Sequence, residues 1–198
     1  MARHTIAVYG AGAWGTALSI HLANNGHSVL LWSHEATVIE TITSTGCNQR
    51  YLPDVLLPKQ LTATGDISAL TQVANWLIAV PSHAFSSVLS EASAFNRVPQ
   101  QLSWATKGLS VESDGLLAET ARHIMGYSTE IAIISGPSFA REVAMGMPTA
   151  VTIAASSDKA ADFWSSCFSN ETFSVYTSQD LIGVQIGVAV NNVIAIPA

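Results

Sequence analysis

Short apolar bursts alternate along this chain with longer stretches in which apolar residues recur at helical spacing. Thr5 to Tyr9, Ser28 to Trp32, Trp76 to Val80, Leu102 to Ala105 and Ile131 to Ile134 are brief and nearly continuous in apolar character. That length and texture predict strands buried on both faces. A helix is predicted from Ala13 to Asn24, with Gly26 standing where a helix C-terminal glycine is wanted. Pro81-Ser82 reads as a strand end followed by a helix cap. Farther on, Thr149 to Ala154 and Phe173 to Tyr176 read as strands flanking a helix over Asp158 to Phe168, and Asp180 is placed to cap a last helix from Leu181. Alternating strands and helices predict an α/β fold, a doubly wound and mainly parallel sheet with flanking helices.

The last helix adds a second expectation. Val184, Ile186, Val188, Val190, Val193, Ile194 and Ile196 leave it apolar on nearly every side. Such a helix needs cover all round. The pattern therefore divides the chain into residues 1–180, one sheet-based domain, and residues 181–198, the start of a helix to be covered by a following domain or a partner chain, a homo-oligomer included.

Composition narrows the function classes. With 198 residues, 48% hydrophobic and 11% charged, the chain can bury a sizeable core. Lys+Arg 8 against Asp+Glu 14 gives a formal charge of -6, and no basic cluster could track a phosphate backbone, so no nucleic acid is expected as partner. Net charge does not exclude a small phosphorylated ligand, which a few backbone amides and one lysine can hold. Cys47 and Cys167 lack metal-type spacing, so no metal is expected. No apolar run reaches the roughly 18 residues of a membrane span. Residues 1–5 leave no room for a secretory leader, and the expected setting is cytoplasmic.

The chemistry begins at Gly10, Gly12 and Gly15. This Gly-x-Gly-x-x-Gly follows a predicted strand and opens a predicted helix, the context that makes the pattern informative. Gly10 permits a tight turn, Gly12 lets backbone approach a diphosphate, and Gly15 lets the helix pack closely on the sheet. The helix start presents unpaired amides and a positive dipole end to the anion. These features predict a Rossmann-like unit that binds NAD or NADP. After the second strand, where NAD specialists place an acidic residue on the ribose, the chain has Ser33-His34 before Glu35. The carboxylate is absent or displaced, and a neutral pair repels a 2′-phosphate less than an aspartate would, so NADP is tolerated and could be preferred. His34 reads either as a cofactor contact or as an ordinary exposed loop histidine.

Several segments together resemble the NAD(P)-dependent glycerol-3-phosphate dehydrogenases of bacterial type. They are Gly10-Ala11-Gly12-Ala13-Trp14-Gly15-Thr16-Ala17-Leu18, Asn25-Gly26-His27, Leu52-Pro53, Val80-Pro81-Ser82-His83, Trp104-Ala105-Thr106-Lys107-Gly108-Leu109, Ser135-Gly136-Pro137-Ser138-Phe139-Ala140, and Gly183-Val184-Gln185 with Asn192-Val193-Ile194-Ala195. The resemblance implies interconversion of sn-glycerol 3-phosphate and dihydroxyacetone phosphate, supplying glycerophospholipid synthesis. It implies that Gly10, Gly12, Ala13, Trp14, Gly15, His34 and Ala140 meet the cofactor, that Lys107 stands between cofactor and substrate, and that Gly136 and Ser138 meet a small phosphorylated substrate. An ammonium on a flexible stem suits Lys107 to that place, because it can offset charge on a substrate oxygen. Without the resemblance, Lys107 reads as a solvated turn lysine and Gly136 to Ala140 as a strand-to-helix turn whose proline starts the helix.

One position departs from the family. Where relatives carry the lysine that serves as general acid or base, this chain has Asn191. An amide can orient a substrate but does not exchange a proton near neutral pH. The lysines here are Lys59, Lys107 and Lys159, none adjacent to it. The family's all-helical C-terminal domain, with the arginine that clamps the substrate phosphate, is expected to be missing, and the chain alone is expected to bind NAD(P) weakly and turn over little. Two other readings stay open. One is a dehydrogenase of the phosphogluconate or ketopantoate type, against which Lys107 and the Gly136 to Ala140 loop speak. The other is a truncated or decayed cofactor-binding module without catalysis, which Asn191 and the end at Ala198 favour.

Overall fold

The computed structural model describes residues 2–110 and 115–194, and the side chains of 188 and 190–194 lie outside the described set. Strand β1 (Thr5–Tyr9) runs through a glycine turn into α1 (Ala13–Asn24), and β2 (Ser28–Trp32) returns beside β1 in parallel, Thr5 opposite Ser28 and Tyr9 opposite Trp32. Next come α2 (Ala36–Thr45), a small antiparallel hairpin of β3 (Cys47–Asn48) and β4 (Leu52–Leu56), and β5 (Leu61–Thr64). The chain then crosses back through α3 (Ile67–Leu70) to β6 (Asn75–Ile78), α4 (Ser82–Ser93), β7 (Gln101–Trp104), α5 (Leu117–Met125) and β8 (Glu130–Ser135). It ends with α6 (Ala140–Ala144), β9 (Thr149–Ala155), α7 (Asp158–Phe168), β10 (Phe173–Ser178) and α8 (Leu181–Ile194).

Eight strands form one sheet in the order β10-β9-β8-β7-β6-β1-β2-β5. Every neighbouring pair is parallel except β8 and β9. The fold is therefore the expected Rossmann-like, mainly parallel sheet, with one reversal that the apolar pattern did not announce. The link from β8 to β9 holds only the five-residue α6, which rises about 7.5 Å against about 20 Å for a six-residue strand, and β9 runs antiparallel from where β8 ends.

Alternation inside single strands assigns the two cores. In β1, Ile6 and Val8 enter the cluster under α1 and α7, while Ala7 and Tyr9 enter the one under α4 and α5. In β8, Ala132 and Ile134 face the first cluster and Ile131 and Ile133 the second. Both faces are thus dry, which is why these strands read as continuous apolar runs. The Gly26 prediction holds: its φ is +90, and its amide donates to the Ala23 carbonyl. Asp180 likewise caps α8, its Oδ1 accepting from the Gly183 amide at 2.8 Å. Pro81 and not Ser82 is the residue preceding α4, so Ser82 is the first helical residue and its side chain caps nothing. On α8, Leu181 and Val184 pack on the core under α4 and α5, whereas Ile182 and Ile186 are exposed. Val188, Val190, Val193 and Ile194 lie outside the described side chains, and Ile196 outside the described residues. Among the described residues no helix is long and apolar enough to cross a membrane, and no group of His, Cys, Asp or Glu could hold a metal ion.

Candidate functional site

From β1 the chain winds outward in both directions, through β2 to β5 on one side and through β6 and β7 to β8 on the other. Helix α1 leaves the end of β1 on one face of the sheet and α4 leaves the end of β6 on the opposite face. A crevice must open between them at the carboxyl ends of those strands.

The floor of the crevice is the glycine turn. Gly10 has φ +116, its amide donates to the Trp32 carbonyl at 3.0 Å, and a Cβ there would stand 2.7 Å from the Ala79 carbonyl oxygen. Both the backbone conformation and the space demand glycine. A Cβ on Gly15 would overlap the Gly10 carbonyl oxygen, so α1 can begin against this turn only without a side chain there. Gly12 precedes α1 and differs from both: a Cβ would meet nothing within 4 Å, because that side faces open space. The amides of Ala13, Trp14 and Gly15 belong to the first turn and have no acceptor within the helix.

A cavity of about 550 Å³ rises from this floor, within the range of small-molecule sites. Gly12, Ala13 and Trp14 line it from the turn, Ala79 to His83 from the end of β6, Ala105 to Lys107 from the end of β7, and Ser138 to Ala140 from the approach to α6. The Lys107 ammonium stands 5.8 Å from the centre of the Trp14 ring, a cation facing an aromatic surface. Two features fix the backbone on either side of that lysine. The Thr106 hydroxyl donates to the Val80 carbonyl at 2.8 Å, tying the ends of β6 and β7 together. Gly108 turns the chain with φ +114, and a Cβ there would press on the Ser82 hydroxyl at 3.1 Å.

Structure thus gathers Gly12, Ala13, Trp14, Lys107, Ser138 and Ala140 around one space, with Gly10 and Gly15 beneath it. Gly136 does not line the cavity. Its Cα faces β9, where a Cβ would meet the Ala150 carbonyl oxygen at 2.7 Å. The same approach corrects the expectation that Pro137 starts the helix. Backbone beyond β8 stays against β9, Phe139 remains extended as the residue before the helix, and α6 starts only at Ala140. His34 is exposed at the end of β2, its ring 6.1 Å from that of Trp32, and does not line the cavity. The side chain of Asn191 lies outside the described residues.

Sequence reasoning missed a support of this site. Asn48 is fully buried, and its Nδ2 donates to the Ala11 carbonyl at 2.8 Å and the Thr16 hydroxyl oxygen at 2.9 Å. Its Oδ1 accepts from the Tyr51 amide at 3.2 Å. The β3–β4 hairpin is so pinned to the glycine turn. Nothing in an isolated asparagine signals this, because its partners lie far away in sequence. Beside it, Glu35 precedes α2 and shows where the displaced carboxylate went. One oxygen accepts from the Tyr51 hydroxyl at 2.6 Å, and the other pairs with Arg50 at 2.5 Å. Donation to that carboxylate holds the Tyr51 phenol proton and raises its pKa.

Comparison with known proteins points in one direction. The family model described as NAD-dependent glycerol-3-phosphate dehydrogenase N-terminus matches residues 5–161. A glycerol-3-phosphate dehydrogenase [NAD(P)+] of Sodalis glossinidius is 47% identical over 193 residues, covering 96% of this chain and 57% of the relative. The Aeromonas salmonicida protein of the same name is 45% identical over 98% of this chain and 58% of its own length. Among solved structures, that of a glycerol-3-phosphate dehydrogenase from Coxiella burnetii superposes with a TM-score of 0.93 at 38% identity, over 98% of this chain and 59% of that one. The chain therefore spans a little over half the length of these relatives.

Proposed function

Because the chain belongs to the NAD-dependent glycerol-3-phosphate dehydrogenase N-terminal family, we propose that it is the nicotinamide-nucleotide-binding part of an enzyme interconverting sn-glycerol 3-phosphate and dihydroxyacetone phosphate. The observation that carries this reading is the single cavity joining the Gly12 turn to Lys107 and Ser138 at the carboxyl ends of β1, β6 and β7. Residues 1–180 form the nucleotide-binding unit, and α8 leads toward the helical part that completes the site and covers Ile182 and Ile186. The cytoplasm is the compartment in which we place it.

The residues present fit a dinucleotide. Space on the Cβ side of Gly12 admits a diphosphate to the backbone, and the first amides of α1 supply donors and positive potential for it. Trp14 and Ala140 flank the entrance, and His34 lies toward the adenosine end. NAD or NADP, when bound, supplies or accepts the hydride. Lys107 donates a hydrogen bond to the substrate C2 oxygen and offsets negative charge there, in a cavity that Trp14 and Phe139 also line. The Ser138 hydroxyl holds the substrate against the turn after Gly136. With Asn191 in place of a lysine, the chain lacks that proton carrier, a loss that typically lowers rates by about 10² to 10⁴.

Titration of the purified chain with NADH and NADPH, read by tryptophan fluorescence, tests the binding half. Saturable quenching is expected, with loss of binding in a Gly12→Val variant. Assay of dihydroxyacetone phosphate reduction tests the rest: little turnover is expected, and an ordinary enzymatic rate would refute the role given to Asn191. Ketopantoate reduced faster than dihydroxyacetone phosphate would refute the substrate.

A further inference from the structure

We propose that Arg50 is the reader of the 2′-phosphate of an NADP-type nucleotide and that Glu35 holds it in reserve when that phosphate is lacking. This assignment rests on the dinucleotide reading of the glycine turn and concerns only which nucleotide the turn accepts. In a sheet of this kind the residues just after β2 meet the adenosine ribose, a carboxylate favouring its hydroxyls and an arginine favouring a 2′-phosphate. Ser33 and His34 supply neither. The first carboxylate is Glu35, and both its oxygens are engaged within the protein, by the Tyr51 hydroxyl at 2.6 Å and by Arg50 Nη1 at 2.5 Å. It is therefore a poor acceptor for a ribose diol.

Arg50 is differently placed. Its side chain is 59% exposed against 20% for Glu35, and Glu35 is its only ion-pair partner among the described residues. The guanidinium lies 5.2 Å from the centre of the Tyr51 ring, which restricts where the fork can point. The hairpin carrying it is fastened to the diphosphate turn through Asn48, two residues away, at the same end of the sheet as the end of β2. Only the arginine side of the pair is open to solvent, and a phosphate dianion that accepts two parallel N–H bonds competes there with the single carboxylate oxygen for the guanidinium fork. Without a 2′-phosphate the pair stays closed, local charge is balanced, and an unphosphorylated ribose meets no repulsion. One device thereby serves both nucleotides, with salt weakening NADPH more than NADH.

Titrations of NADPH and NADH with the full chain and its Arg50→Gln, Arg50→Lys and Glu35→Gln variants test this. Arg50→Gln is expected to weaken NADPH about tenfold while leaving NADH within about twofold, because only the phosphate contact is removed. Arg50→Lys should fall between, keeping charge but losing the fork. Glu35→Gln should tighten NADPH several-fold and steepen its salt dependence. Equal effects of Arg50→Gln on both nucleotides, or none on either, overturn the assignment and leave the cofactor site standing. A wild-type chain that takes up neither nucleotide overturns both.

Discussion

Replacing Asn48 by alanine should loosen the glycine turn from a distance. Asn48 is buried and makes three hydrogen bonds, to the Ala11 carbonyl, the Thr16 hydroxyl and the Tyr51 amide. Each contributes about 0.5–1.5 kcal/mol net, and a buried partner left unsatisfied costs about 1–3 kcal/mol. The Thr16 hydroxyl oxygen loses one donor but keeps its own O–H to donate, and Tyr51 is partly solvated, so Ala11 bears most of the penalty. A loss near 3 kcal/mol follows, which for a chain of this size lowers the melting midpoint by about 6–12 °C. Urea unfolding by tryptophan fluorescence measures the first number, and the slope should be unchanged. NADH titration measures the consequence: affinity should fall, because the Ala11 carbonyl no longer holds the turn in register with α1. Asn48→Asp should be worse than alanine near neutral pH, since it sets a carboxylate against the Ala11 oxygen. A loss below about 0.5 kcal/mol with nucleotide affinity intact would show that the hairpin does not support the turn.

Gly15→Ala places a methyl against the Gly10 carbonyl oxygen and should destabilise by about 1–3 kcal/mol while weakening both nucleotides, read by urea midpoint and titration. Burial holds the His21 and His27 imidazoles below their ordinary pKa, so the unfolded chain takes up protons that the folded chain refuses. Stability should therefore be fully present above pH 6.5 and fall as the solution is acidified, by up to about 1.4 kcal/mol per pH unit per histidine. Flat urea midpoints from about pH 7.5 to 5.5 would contradict this linkage. Burial also raises the Cys167 thiol to about 12, and Cys47 is buried too, so a thiol reagent at mildly alkaline pH should label neither until urea unfolds the chain.

Local chemistry made part of this protein readable from its residues in order. The glycine fingerprint, the helix it opens, the Gly26 stop and the Asp180 cap involve residues within a few positions of one another, and short-range sterics and hydrogen bonding decide them. Apolar bursts without alternation announced strands buried on both faces, hence a mainly parallel sheet. Other features depend on what the chain meets after it folds. Asn48 reaches the glycine turn across 37 positions, and Thr106 ties β7 to β6 across 26. No periodicity carries such pairings. Helix α6 begins late where Gly136 is pressed against β9, and β9 pairs antiparallel with β8. Sequence by itself determined which segments become strands and helices and where an anion can approach the backbone. Tertiary structure alone decided which side chains surround that approach, because packing a two-faced sheet brings distant residues to one edge.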